Sequence, residues 1–277
     1  MFVDLHIHTI ATPHHSFWEP EALARAAVER GLAVIAVTDH NTTAQVRAVQ
    51  EAGARYDLRV ISGVELDTAY NGKLWHTHLY GVDPDHPEVL GLCAAVVERN
   101  AADAQAMATA ARERGWRLRW FATIEDRRPT VADFGHSLVK DGYVQPEPGV
   151  EDEAAGMAWV LRNMGELYHP VTVAEAAEVA HRAGGLAVLA HPGRSKSIYA
   201  IPATEEDIAA LVAVGLDGLE ALYTTHTPEQ RAFYRQLAER YGLLISAGSD
   251  SHGPGDGLGA FPLSDCAAFL EALSVRC

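Results

Sequence analysis

Four apolar runs in this chain stop abruptly at clusters of histidine and carboxylate, and that repeated edge limits the folds open to it. Leu32-Ala33-Val34-Ile35-Ala36-Val37 runs into Thr38-Asp39-His40, and Leu58-Arg59-Val60-Ile61 into Ser62-Gly63-Val64-Glu65. Leu186-Ala187-Val188-Leu189-Ala190 meets His191-Pro192, and Leu243-Leu244-Ile245-Ser246-Ala247-Gly248 meets Ser249-Asp250-Ser251-His252. Near-continuous apolar strands belong to sheets covered on both faces. Helix signals lie between them. Pro20 opens a helix over Glu21 to Arg30, Thr172-Val173-Ala174-Glu175 is a capping box, and Thr227-Pro228-Glu229-Gln230 adds proline at the first helical position. Gly31, Gly184, Gly215 and Gly242 stand where helices should stop. Strand and helix alternating in this way imply parallel strands with crossover helices, and 277 residues suit a barrel better than an open sheet.

The rhythm breaks between about Val97 and Pro170, where the segments Ala101–Arg114, Val131–Lys140 and Glu153–Met164 read as helices. This is a helical insertion over one end of the barrel, or a set of barrel helices whose strands are hidden, with 115 to 121 as one such strand. The expected division is barrel over 1–96, insertion over 97–170 and barrel again over 171–277. The chain is 48% hydrophobic and can bury a full core. It has neither a membrane-length apolar run nor a signal-peptide pattern, so cytoplasm is the expected compartment and no membrane partner is expected. Cys93, Cys266 and Cys277 are scattered and suit reduced thiols. A formal charge of −15 argues against a long phosphate-backbone grip, and so against extended DNA binding.

Barrels of this kind carry their chemistry at the C-terminal ends of strands. That rule collects His6 and His8 from the first strand, then His40, Glu65, His191, and Asp250 with His252. Leu74-Trp75-His76-Thr77-His78-Leu79-Tyr80 adds a second His-x-His. Imidazole and carboxylate without thiolate suit zinc, manganese or iron. The set exceeds what one ion needs, and Glu65 is placed to bridge.

Six stretches together resemble the polymerase and histidinol phosphatase (PHP) family of metal-dependent phosphoesterases. They are Asp4-Leu5-His6-Ile7-His8-Thr9, Thr38-Asp39-His40-Asn41, Gly63-Val64-Glu65, His78-Leu79-Tyr80-Gly81, Ala190-His191-Pro192-Gly193-Arg194 and Gly248-Ser249-Asp250-Ser251-His252-Gly253. The resemblance implies an α/β fold, a distorted seven-stranded (β/α)7 TIM-like barrel with a helical insertion. It implies two or three divalent ions, manganese, zinc or iron. His6, His8, Glu65 and Asp250 would hold the first, Glu65, His78 and His191 the second, and His14, His40 and His252 the third. His15 is the alternative to His14, and His76 is either a direct ligand beside His78 or a neighbour at the rim.

Arg194 is a candidate phosphate fork. His226, just before a helix N-terminus, is a candidate to bind phosphate or to protonate the leaving oxygen. Asp250 and His191 complete the expected catalytic set. Asp39 either orients His40 or closes a turn, and Asp4 shares the strand face of His6. The expected reaction is hydrolysis of a phosphate monoester on a small metabolite, a nucleoside monophosphate or 3′,5′-bisphosphate, by metal-activated water, with short RNA as a further substrate. The alternatives are histidinol-phosphate or cyclic-phosphate hydrolysis within the wider family, a metal-dependent amidohydrolase, and a binding protein without turnover. Arg127, Arg128 and Lys140 of the insertion are candidates to shape specificity.

Overall fold

Branched and aliphatic residues at nearly every position keep β2 (Leu32–Val37) buried along its length, and the same logic builds the strands beside it. A computed structural model describes residues 1–12, 16–125, 127–195 and 202–276. It divides into one unit built from Met1–Ala94, Thr172–Arg194 and the residues from Pro202 on, and a second built from Ala95–Val171.

In chain order the strands are β1 (Phe2–Ile7), β2, β3 (Arg59–Tyr70), β4 (Lys73–Tyr80), the two-residue β5 (Val171–Thr172), β6 (Leu186–Leu189), β7 (Gly218–Tyr223), β8 (Leu244–Gly248) and the two-residue β9 (Phe261–Pro262). The helices are α1 (Pro20–Glu29), α2 (Val46–Ala54), α3 (Pro87–Glu113), α4 (Val131–Lys140), α5 (Asp152–Asn163), α6 (Val173–Arg182), α7 (Glu205–Val212), α8 (Pro228–Tyr241) and α9 (Ala267–Arg276).

The sheet of the first unit runs β8-β7-β6-β4-β3-β2-β1-β9. It closes on itself just past β8. There the Asp250 N–H donates to the His6 carbonyl at 2.9 Å, and the His8 N–H donates to the Ser251 carbonyl at 2.9 Å. Among the described residues, seven strands longer than two residues make this distorted barrel. All seven send side chains into one apolar cluster, including Leu5, Ala36, Ile61, Tyr80, Val188, Leu222 and Ala247, as the inside of a closed sheet requires. Outside it, α1 and α2 pack Leu23, Ala27 and Val49 against Ile35 and Val37. Ile208, Leu211, Tyr234 and Leu237 of α7 and α8 cover Leu219 and Ala221.

One expectation about the sheet is overturned. The strands are not all parallel, because β4 runs against both β3 and β6. The cause is Asn71-Gly72, whose φ angles of 49° and 72° make the left-handed two-residue turn that folds one strand directly onto the next. Glu65 therefore sits within β3 rather than at its end. It pairs across the hairpin with His78, as Asp67 does with His76.

Capping boxes at Thr130, Thr172, Thr204 and Thr227 start α4, α6, α7 and α8. In the second unit, the carbonyl edge of Gly135 lies against Gly156, so α4 and α5 touch backbone to backbone where any side chain would collide. Residues 115 to 121 do not form a strand; they turn into a 3-10 helix at Phe121–Thr123. Arg127 is forked onto Asp133 and Lys140 pairs with Asp152, both inside this unit. Burial pushes the free thiols of Cys93 and Cys266 up to about 12. Among the described residues no helix is long and apolar enough to cross a membrane.

Candidate metal centre

The site grows from the inner face of the β3–β4 hairpin. Glu65 and Asp67 alternate on β3, and His76 and His78 face them from β4, so four polar side chains share one surface. From the closing edge of the sheet, β1 brings His6 and His8. An extra residue in β1 between the pairs Asp4–Ile35 and Ile7–Val37 makes a bulge just where these side chains must be aimed. His191 and Asp250 follow β6 and β8 in left-handed backbone, with φ of 28° and 60°. Such strain outside glycine gathers at functional sites.

Outward hydrogen bonds settle which ring nitrogen of most of these histidines is bare. His6 Nδ1 lies 3.0 Å from Glu220 Oε1 and donates to that carboxylate. Thr12 Oγ1 donates to Asp39 at 2.8 Å, so it accepts from His8 Nδ1, 3.3 Å away. Tyr80 gives its one proton to the Leu5 carbonyl at 2.6 Å and accepts from His78 Nδ1 at 2.8 Å. His252 Nδ1 donates to the Asp250 carbonyl at 2.8 Å. In each ring Nε2 is left as a lone pair. Asp39 thus acts on His8 through Thr12, and also accepts from the Thr9 amide at 2.5 Å.

Those lone pairs converge. His6 Nε2 lies 3.1 Å from His8 Nε2, 3.3 Å from Glu65 Oε2 and 3.3 Å from Asp250 Oδ1. His8 Nε2 lies 3.2 Å from Glu65 Oε2 and 3.0 Å from Asp250 Oδ1. A tetrahedral ion with bonds of about 2.0–2.1 Å keeps its ligands roughly 3.3 Å apart. The spacing is that of an ion's coordination edge. His40 Nδ1, Glu65 Oε2 and His78 Nε2 are all buried without a hydrogen-bond partner, a cost that a cation would remove. The residues present therefore fit divalent ions.

Among the described residues, four groups bring ligand atoms within 4.8 Å of one another: His6, His8, Glu65 and Asp250; His8, His40 and His252; Glu65, His76 and His191; and His40, Asp67 and His76. His78 stands slightly back, its Nε2 3.7 Å from Glu65 Oε1.

The electrostatics ask for positive charge. Burial raises the pKa of Glu65 and Asp250, yet the neighbouring imidazoles, His6 above all, hold both well below the usual carboxylate range. Burial lowers that of His6, but Glu220, Glu65 and Asp250 outweigh it and hold it well above the ordinary imidazole value, a pull on positive charge that a cation at Nε2 would answer in place of a proton. Burial pushes His191 down to about 4 and keeps it neutral.

Eight of the nine expected ligands come together here: His6, His8, His40, Glu65, His78, His191, Asp250 and His252. His14, with its alternative His15, lies outside the described residues. Arg194 borders the cluster, its Nη1 donating to Asp250 Oδ2 at 2.8 Å. His226 is held by backbone groups. Its Nδ1 donates to the Ala221 carbonyl at 3.2 Å and its Nε2 accepts the Gly193 amide at 3.0 Å. Both nitrogens have backbone partners, and the ring braces the turn that carries Arg194. Asp4 likewise serves structure, accepting from the Ser249 hydroxyl at 2.6 Å and the Gly259 amide at 2.7 Å.

The residues 4–144 match the family model described as PHP domain. The chain belongs to the PHP family. It is a metal-dependent phosphoesterase, a hydrolase. It is 30% identical over 259 residues to phosphoribosyl 1,2-cyclic phosphate 1,2-diphosphodiesterase of Eggerthella lenta, covering 91% of this chain and 95% of the relative. It is 31% identical over 265 residues to the 5′-3′ exoribonuclease Rnm of Salmonella typhimurium, covering 91% and 85%. It is 28% identical over 270 residues to the 3′,5′-nucleoside bisphosphate phosphatase of Chromobacterium violaceum, covering 92% and 88%.

Sequence reading missed Glu220, which holds both His6 Nδ1 and, at 2.6 Å, the His191 amide. It also missed Tyr223, whose hydroxyl donates to Asp250 Oδ2 at 3.1 Å. A carboxylate inside the apolar run Gly218–Tyr223 was the available signal for Glu220. Gly248 belongs to this PHP site as well, since a methyl group there would strike the His6 Cβ and Glu220 Oε1. Gly248→Ala is expected to cost about 1–3 kcal/mol through overpacking. Thermal denaturation checks this, and an unchanged midpoint would mean that the close approach carries no weight.

Proposed function

We propose that this PHP protein hydrolyses a phosphate monoester on a small nucleotide, a nucleoside monophosphate or 3′,5′-bisphosphate, at the cluster of His6, His8, His40, Glu65, His78, His191, Asp250 and His252. The observation that carries the reading is the convergence of bare imidazole nitrogens on two buried carboxylates at ion-sized spacing. His6, His8, Glu65 and Asp250 would hold one ion, Glu65, His78 and His191 a second, and His40 with His252 a third. Manganese, zinc and iron suit these donors. When bound, such ions supply a nucleophile at neutral pH and neutralise charge on the phosphoryl oxygens.

The chain's own residues do the rest. Arg194 Nη1 and the Tyr223 hydroxyl both hold Asp250 Oδ2, which turns Oδ1 toward His6 and His8. Arg194 keeps about a quarter of its side chain exposed beside the cluster, where a planar fork can meet a phosphate. Relatives named for a nucleoside bisphosphate, a ribose cyclic phosphate and RNA 5′-3′ cleavage share one substrate chemistry, phosphate on ribose. The coverage of the Eggerthella lenta relative favours a cyclic phosphodiester as the second reading.

The test is phosphate release from nucleotides, bisphosphates, cyclic phosphates, short RNA and sugar phosphates with added Mn, Zn or Fe. Highest kcat/KM on a mononucleotide supports the proposal; release only from cyclic or sugar phosphates overturns it in favour of that substrate. Dialysis against a chelator should abolish turnover and lower the melting temperature, with both restored by one of these metals. Full activity after complete metal removal would sink the assignment of the cluster.

A further inference from the structure

We propose that His76 is an additional protein ligand of the cation held by Glu65 and His191, delivered through Nδ1 and aimed by Asp67 and Asn41. The inference rests on the metal reading above and extends it to a residue that the sequence leaves open between direct ligand and rim neighbour.

His76 Nδ1 lies 3.0 Å from Glu65 Oε1 and 3.3 Å from His191 Nε2, and His191 Nε2 lies 3.1 Å from the same Oε1. Three donor atoms thus form a triangle with edges of 3.0 to 3.3 Å. That is again about the edge of a tetrahedral site. A hydrogen bond explains one edge at a time. Only a shared ion uses all three.

The far side of the ring is also prepared. His76 Nε2 faces Asp67 Oδ1 at 3.3 Å, and Asn41 Nδ2 donates to Asp67 Oδ2 at 2.8 Å. Asn41 Oδ1 in turn accepts the Asp67 amide at 3.1 Å, and Asn41 itself sits in left-handed backbone at φ 55°. An imidazole that donates its remote N–H to a braced carboxylate is the usual arrangement for a metal-bound histidine. The strand register makes it possible, because Asp67 and His76 are direct partners across the hairpin, as Glu65 and His78 are one step deeper.

Ring polarity varies around the site. His6, His8, His78 and His252 present Nε2 inward, whereas His76, like His40, presents Nδ1. With His76 included, the ion at Glu65 has three imidazoles and one carboxylate, a donor set that favours zinc or iron over manganese. The ion at Asp250 has two of each, which is kinder to manganese.

The experiment is a zinc titration of chelator-treated protein, by competition with a chromogenic chelator, for the wild type, His76→Ala, His76→Gln, Asp67→Asn and His191→Ala. Expected is that both His76 variants and His191→Ala weaken the same ion, by at least about 100-fold, and that Asp67→Asn weakens it by about 10–100-fold. Long-range 1H–15N spectra of the zinc-loaded wild type should show His76 protonated at Nε2, with Nδ1 shifted by the metal. Retention of every zinc at wild-type affinity in both His76 variants, while His191→Ala loses one, would overturn the role of His76 and leave the metal centre standing. A wild type that takes up no zinc, manganese or iron would overturn both.

Discussion

Glu65→Gln is expected to cut phosphate release by at least about 10³-fold, roughly 4 kcal/mol of transition-state stabilisation, with the fold retained. One carboxylate serves the whole cluster. Its Oε2 lies against His6, His8 and His40 at 3.2 to 3.3 Å, and its Oε1 against His76 and His191 at 3.0 and 3.1 Å. An amide of the same shape carries no charge and turns an N–H toward lone pairs on one side or the other. Steady-state kinetics with metal analysis of the purified variant decides the matter. Turnover within tenfold of wild type would show that Glu65 bridges nothing.

Removing Glu220 should be felt twice. Glu220→Ala strands a buried imidazole and the His191 amide, so a stability loss of about 3–5 kcal/mol is expected, as for any buried partner deleted alone. Metal affinity or activity should fall by about 10–100-fold, because His6 loses the acceptor that fixes its tautomer. Glu220→Gln separates the two effects. Burial holds the Glu220 pKa above the ordinary carboxylate value, with His6 pulling the other way, so a neutral amide is tolerated by the fold better than a void. Chemical denaturation and zinc titration of both variants provide the readouts. Equal behaviour of Ala and Gln in both would show that the pocket around His6 needs only packing.

Much of this molecule was legible before any coordinates. Strand β2, the caps of α6 and α8 and several of the candidate ligands follow from hydrophobic runs, Thr-x-x-Glu/Gln spacing and abrupt polar edges, all of which act locally. The antiparallel hairpin is just as local, since Asn71-Gly72 encodes its turn, but it interrupts a chain whose other strands alternate with helices in the parallel manner. What was not legible depends on partners far away in the chain. Glu220 is one carboxylate in an apolar strand until His6 is seen beside it. His226 stands before a helix in the sequence, while its partners, the Gly193 amide and the Ala221 carbonyl, are brought to it only by the fold.

The barrel closes where β1 meets the segment that follows β8, and the densest part of the cluster straddles that seam. His6 and His8 stand on one side, Asp250 and His252 on the other. A nascent chain therefore exposes its first two candidate ligands long before their counterparts have been made, and a divalent ion arriving at the finished site would rivet the first strand to the last. Loss of that ion should loosen the molecule first along this line, where protease cuts and amide exchange would report it.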